Sequence, residues 1–173
     1  MKKIVLFIAQ EGFRDEEYFH TKEVLEKNNF VVITASENKG NAIGKLGASA
    51  ISDISIYDLK SSDFDALFLI GGPGSYNYFE DQKIHKLLKE TYESGKFIGA
   101  ICAAPAILAH AGLLKGKKAT SYDGVSSILI EKGAIYTGNN VEVDGQIITA
   151  DGPSSAKSFG LKIAELIKKS DEQ

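Results

Sequence analysis

The sequence predicts an α/β fold, a three-layer sandwich in which a mainly parallel sheet lies between helical layers. Two observations predict it. Uninterrupted apolar runs at Lys3–Ala9, Asp65–Ile70 and Phe97–Ile101 lack the alternation of a strand with one wet face and read as strands buried on both sides. Segments with apolar residues at helical spacing alternate with these runs, the order expected of parallel strands joined by helices.

The elements follow in order. After the first strand, Asp15–Lys27 reads as a helix: Tyr18, Thr21, Leu25 and Asn28 share a face, with Val24 alongside. Phe30–Ala35 is the next strand. Asn38–Ser55 is rich in Gly, Ser and Ala and predicts short strands or an excursion. The strand Asp65–Ile70 ends in Gly71-Gly72-Pro73-Gly74. Asp81–Ser94 carries Ile84, Leu87, Leu88 and Thr91 at helical spacing, and Gly95 stops it. Phe97–Ile101 feeds a helix of about a dozen residues that ends near Gly112. Asp144-Gly145 between Val141–Val143 and Gln146–Thr149 predicts an antiparallel hairpin. Ser154–Lys169 is a final amphipathic helix with Ala156, Phe159, Ile163, Leu166 and Ile167 on one stripe.

Composition narrows the class. A chain of 173 residues fits one domain over 1–173 and can bury a core without staples. The 20 Lys and Arg residues are scattered and the net charge is −3, so no basic stripe marks a nucleic-acid partner. Phe97–Leu114 carries no formal charge, but Gly99, Cys102, Pro105 and Gly112 make it a strand, a turn and a buried helix rather than a membrane span. One cysteine excludes an intramolecular disulfide, and with three histidines (His20, His85, His110) a Cys/His metal site is not expected; no cofactor is expected either. A lone thiol suits a reducing compartment. The apolar run Ile4–Ala9 behind Lys2-Lys3 is too short for a secretion signal, so the expected location is the cytoplasm.

In open parallel sheets ligands gather at the carboxyl ends of the strands. Gln10–Glu17, Gly71–Ser75 and Cys102–Pro105 are the three loops expected there. Cys102 stands between a strand and a helix whose first turn holds Pro105, and Ala100, Ala103 and Ala104 allow a tight turn. The partial positive charge of a helix start favours a thiolate, which would make Cys102 a nucleophile or redox-sensing thiol. The same residue also reads as a small buried apolar side chain, and position alone does not separate the two.

Ala100-Ile101-Cys102-Ala103-Ala104-Pro105 resembles the cysteine elbow of the ThiJ/PfpI family, which includes intracellular proteases, glyoxalases, protein deglycases and a redox-responsive protein associated with parkinsonism. Leu69–Gly74, Gly12-Phe13-Arg14-Asp15-Glu16-Glu17, Ala111–Lys117, Val143-Asp144-Gly145 and Gly152-Pro153 match that family in order, across nearly the whole chain. The resemblance implies a flavodoxin-like, glutamine-amidotransferase-like sheet with Cys102 at its nucleophile elbow. It places Glu17 beside Cys102, where two adjacent negative charges would repel and the pair would share one proton, with protonated Glu17 donating to a thiolate or to a sulfinate after oxidation. Without the resemblance, Glu17 would be a first-turn acid complementing the helix dipole. Gly72 and Ala103 are assigned as backbone donors of an oxyanion hole.

The departures are equally specific. The family's proteases carry His after the nucleophile, where this chain has Ala103. Its glyoxalase-like members often carry His where Tyr122 stands, and a phenol is a poor base at neutral pH. No His follows His110, which disfavours an amidotransferase. His20, one turn after Glu17, is a candidate for the pocket mouth. Asp151 replaces the Arg often found before Gly-Pro; as a pocket residue it would make the site acidic and disfavour strongly anionic substrates, and otherwise it orients the turn before the last helix. The expected function is weak cysteine-dependent lyase or hydrolase chemistry of glyoxalase or deglycase type on a small reactive carbonyl compound. The alternatives are a non-enzymatic redox or stress-response protein and, less favoured, an intracellular peptidase. Family resemblance further implies a homodimer or higher homo-oligomer.

Overall fold

The computed structural model describes residues 1–172. In chain order the strands and helices begin with β1 (Lys3–Phe7), β2 (Glu11–Phe13), α1 (Asp15–Lys27), β3 (Val31–Ser36), β4 (Gly40–Gly44), β5 (Ser49–Ser52), β6 (Ile54–Ser55) and β7 (Ala66–Leu69). They continue with α2 (Gln82–Glu93), β8 (Phe97–Ile101), α3 (Pro105–His110), β9 (Lys118–Ala119), α4 (Ser126–Glu131), β10 (Ile135–Tyr136), β11 (Val141–Asp144), β12 (Ile147–Ala150) and α5 (Ala156–Asp171). The main sheet runs β11-β12-β8-β7-β1-β3-β6. Every pairing in it is parallel except β11 with β12, the hairpin closed by Asp144-Gly145.

The apolar runs occupy the sheet's centre. All four residues of β7 are buried, as are Ile4 to Phe7 of β1 and Ile98 to Ile101 of β8, because helices cover both faces. Phe159 of α5 meets Phe68 of β7 edge-on, with ring centroids 5.8 Å apart, and each side chain is fully buried. Burial of a side chain of that size stabilises the fold by about 1.5–3 kcal/mol. α1 packs on α5 at Gly160, whose Cα faces Val24 with no room for a larger side chain to enter freely.

Helix ends explain several boundaries. α2 starts at Asp81, whose carboxylate accepts the N–H groups of Lys83 and Ile84 at 3.0 and 3.1 Å. α1 lacks such a cap but has Asp15, Glu16 and Glu17 in its first turn. Asp15 is turned outward from that role: it accepts the N–H groups of Leu46 and Ala48, both at 2.9 Å, and so ties the β4–β5 turn to the start of the helix.

The differences from the sequence reading lie in short elements. The helix after Cys102 has six residues rather than a dozen, because turns take over from Ala111 to Gly116. Ser126–Glu131 forms a helix with one buried residue, Leu129, a pattern too sparse to mark an amphipathic face. The Asn38–Ser55 excursion resolves into β4, β5 and β6, with β4 and β5 joining β2 in a small separate sheet. Among the described residues no helix is long and apolar enough to cross a membrane.

Candidate active site

The three loops at the carboxyl ends of β1, β7 and β8 do converge. The Arg14 N–H donates to Gly71 O at 2.9 Å, and the Gly71 N–H donates to Glu17 Oε1 at 2.9 Å. A side chain on Gly71 would run into Ile101 O, Cys102 Cβ and Glu17 Oε1, so only glycine lets the three loops close on one point. Gly72 follows at φ +108°, a region that side chains avoid, and a Cβ there would collide with Arg14 N and Gly12 O.

Cys102 lies in the turn between β8 and α3 with φ +64°, one of two non-glycine residues at positive φ among those described. Such a conformation costs a residue with a Cβ about 1–2 kcal/mol. Two backbone bonds hold it: the Cys102 N–H donates to Ala150 O at 2.9 Å, and the Tyr122 N–H donates to Cys102 O at 2.7 Å. The turn lifts the thiol out of the sheet into a pocket of about 320 Å³. Gly72, Ala103 and Tyr122 share its wall with Cys102. Neither the Gly72 nor the Ala103 N–H meets a protein oxygen among the described residues, and the Ala103 N–H faces the sulfur, where it favours the thiolate.

Glu17 sits behind the thiol and is fully buried. Among the described residues its Oε2 atom has no partner with hydrogen-bond geometry, although the thiol is near enough for the two groups to perturb each other. Burial pushes the Glu17 carboxyl up to about 7, against the opposing pull of the Gly71 N–H, the thiol and the Arg14 charge. Burial, and then the Glu17 charge, push the Cys102 thiol up to about 12. Between those limits the pair holds one proton, as expected of two adjacent acids. The expectation of a thiol made acidic by its helix start is corrected. α3 is short, and desolvation outweighs the opposing pull of the Ala103 N–H and the Arg14 charge. A thiolate becomes accessible by passing the proton to Glu17, which leaves the pair's charge unchanged and removes the charge that had opposed ionisation of the sulfur.

Two further candidates fall outside the pocket. His20 is on α1 but does not line the wall, because three residues of helix carry it about 4.5 Å further from the strand ends than Glu17. Asp151 turns away: its Oδ1 accepts the Ser155 hydroxyl at 2.6 Å, its N–H donates to Asn140 O at 3.0 Å, and Pro153 takes the place on the wall. Of its two readings the structure supports the one in which it orients the turn before α5, and it adds no acid to the pocket wall. His85 is buried on α2, with Nε2 2.9 Å from Phe79 O, and supplies no base to the thiol.

Sequence reasoning missed Arg14, Lys45 and Tyr76, all of which line the pocket. Arg14 lies within the Gly12–Glu17 segment already singled out, so its position in the chain was the signal that could have found it. Tyr76 stacks on Phe79, with centroids 4.6 Å apart, and burial, Tyr122 and Cys102 raise its phenol pKa. Nothing in the Gly- and Ser-rich context of Lys45 signals its place.

A mainly parallel sheet between helices, with a cysteine held at positive φ at its carboxyl end and a buried carboxyl behind the thiol, defines the class of α/β protein to which the chain belongs. This chain belongs to the DJ-1/PfpI family, whose family model matches residues 2–166. It is 42% identical to an uncharacterised protein of Methanocaldococcus jannaschii, over 98% of this chain and 84% of that one. It is 31% identical to the glutathione-independent glyoxalase DJR-1.2 of Caenorhabditis elegans (96% and 89% covered) and 30% identical to the deglycase PfpI of Pyrococcus furiosus (95% and 99% covered). Among solved structures, a ThiJ/PfpI domain protein of Brachyspira murdochii superposes with a TM-score of 0.94 at 28% identity, covering 96% of each chain.

Proposed function

We propose that the protein acts on small reactive carbonyl compounds through Cys102, with glyoxalase- or deglycase-like chemistry. The observation that carries the reading is the stacking order of the site: buried Glu17, then Cys102 at positive φ, then a pocket lined by Gly72 and Ala103. The thiol proton passes to Glu17, the sulfur bonds to the carbonyl carbon, and the π electrons move onto the oxygen, which the Gly72 and Ala103 N–H groups stabilise. Glu17 then returns the proton to that oxygen, giving a neutral hemithioacetal. A carboxyl with a pKa near 7 is suited to move a proton in both directions at neutral pH. The relatives named for glyoxalase and deglycase activity support the substrate class.

Peptidase chemistry is disfavoured, because Ala103 follows the thiol and no imidazole lines the pocket among the described residues. A redox role has one observation in its favour: Glu17 Oε2, buried without a partner, has a position to fill when Cys102 acquires oxygen. The test is methylglyoxal turnover by wild type, Cys102→Ser and Glu17→Gln. Loss of about 10²-fold or more in both variants is expected. Turnover that survives Cys102→Ser refutes the nucleophile, and a wild type without turnover leaves the redox role as the better reading.

A further inference from the structure

The charged side chains on the pocket wall are Arg14 and Lys45; no Asp or Glu lines it among the described residues. The two cations are not equivalent. Arg14 is committed to Glu16 by two parallel bonds, Nε to Oε1 and Nη2 to Oε2, both 3.1 Å, so its charge is largely met before any ligand arrives. Lys45 has no carboxylate within 4.0 Å among the described residues. Nor is it a wandering surface lysine at the backbone level. Its N–H donates to Phe13 O at 2.8 Å, and the next turn residues, Leu46 and Ala48, are bound by the buried Asp15 carboxylate. Three bonds thus fix the Lys45 backbone against the same segment that carries Arg14 and Glu17.

We infer that the pocket selects small electrophiles bearing a carboxylate beside the reactive carbon, with Lys45 as the side chain that receives it. The inference rests on Cys102 as the attacking group. The Tyr76 and Tyr122 side chains, on the same wall, offer phenol donors to the remaining carboxylate oxygen. The opposing charge is that of the Glu17–Cys102 pair once it has lost a proton. Its Glu17 half is buried behind the pocket and its Cys102 half lies on the wall, and the unmatched Lys45 charge on the same wall offsets it for an incoming anion.

The single thiol makes the inference measurable without turnover. Iodoacetate and iodoacetamide alkylate sulfur by the same step, in which sulfur bonds to the methylene carbon and iodide leaves, but only iodoacetate carries a carboxylate. The ratio of their rates at Cys102, divided by the same ratio for 2-mercaptoethanol, is expected to be about tenfold at low ionic strength and to fall as salt is added. Lys45→Met is expected to bring it to that of the small thiol. Lys45→Arg should retain it, as should Lys83→Met, which removes a lysine that does not line this pocket. A normalised ratio of one or below in wild type, or a ratio indifferent to Lys45→Met, overturns the inference. Methylglyoxal turnover is scored separately. Turnover with a ratio of one overturns anion selection alone, whereas a high ratio without turnover overturns the enzymatic reading and leaves the Lys45 anion site standing.

Discussion

Replacing Glu17 by glutamine tests the physical basis of the site, because a fully buried carboxyl should record its burial in the pH dependence of stability. Glutamine keeps an oxygen to accept the Gly71 N–H, which Glu17 receives at 2.9 Å, and it does not titrate. The folded protein raises the Glu17 pKa from 4.5 to about 7, and at about 1.4 kcal/mol per pH unit this corresponds to about 3 kcal/mol. The folded chain therefore holds this proton more tightly than the unfolded chain. Stability from this group is complete below pH 4.5, declines as pH rises towards 7, and is level above it. The Cys102 thiol, pushed up to about 12, titrates above that window. Urea unfolding of wild type and Glu17→Gln from about pH 4 to about pH 8 gives the difference directly. The variant carries a constant penalty for placing a buried amide N–H₂ near sulfur, but its stability relative to wild type should improve by about 3 kcal/mol across the range. Parallel curves, with a gap steady to about 0.5 kcal/mol, would falsify the claim that Glu17 is a desolvated acid.

Further outcomes follow from the same geometry. Alkylation of Cys102 by iodoacetamide should accelerate through an inflection near pH 7, where the pair loses its first proton, and in Glu17→Gln the inflection should move upward; an unchanged profile would separate the two residues. Gly72→Ala should destabilise the fold by about 3 kcal/mol in denaturant titrations, since it combines a φ of +108° with a collision at Arg14 N, and a neutral result would mean the loop yields freely. Mild peroxide should add two oxygens to Cys102 and stop; intact-mass spectrometry showing progression to the sulfonate would refute protection by Glu17. Tyr122→His should raise methylglyoxal turnover by supplying a base, while robust wild-type turnover that survives Tyr122→Phe would show that Glu17 suffices.

The main sheet was legible because it is written in residues that have no alternative use. Val5, Leu6 and Phe7, or Leu67, Phe68 and Leu69, are too apolar for an exposed strand, and the bounds of β8 match Phe97–Ile101 without adjustment. Asp144-Gly145 announced the only antiparallel pairing of the main sheet. That Cys102, Glu17, Gly72 and Ala103 lie together was legible as well, since family resemblance preserves order along the chain and the fold turns order into proximity. Side-chain direction was not legible. Whether Asp151 faces the pocket or Ser155 depends on one rotamer, and no spacing rule encodes it. The acidity of Cys102 was misjudged for a related reason: a helix start is visible in the sequence, but the depth at which the sulfur lies is not. Lys45 came from the least patterned stretch, where Asp15, thirty residues upstream, decides the turn's position.

The bonds that fix the cysteine's backbone have a consequence for the protein's synthesis. Both arrive from later in the chain: Tyr122 gives its N–H to Cys102 O, and Ala150, at the end of β12, takes the Cys102 N–H. A ribosome-bound chain that has emerged only as far as α3 contains the thiol, Glu17 and the glycines of the β7 loop, yet only the local Ala104 N–H to Ile101 O bond spans the left-handed turn, and neither bond to the backbone of Cys102 itself has formed. On that nascent chain Cys102 is an ordinary, unsheltered thiol, open to any oxidant or electrophile that later meets only the finished pocket. Docking of β12 alongside β8 is the event that closes this interval, so slow pairing of that strand extends the time during which the nascent protein is chemically vulnerable at its own site.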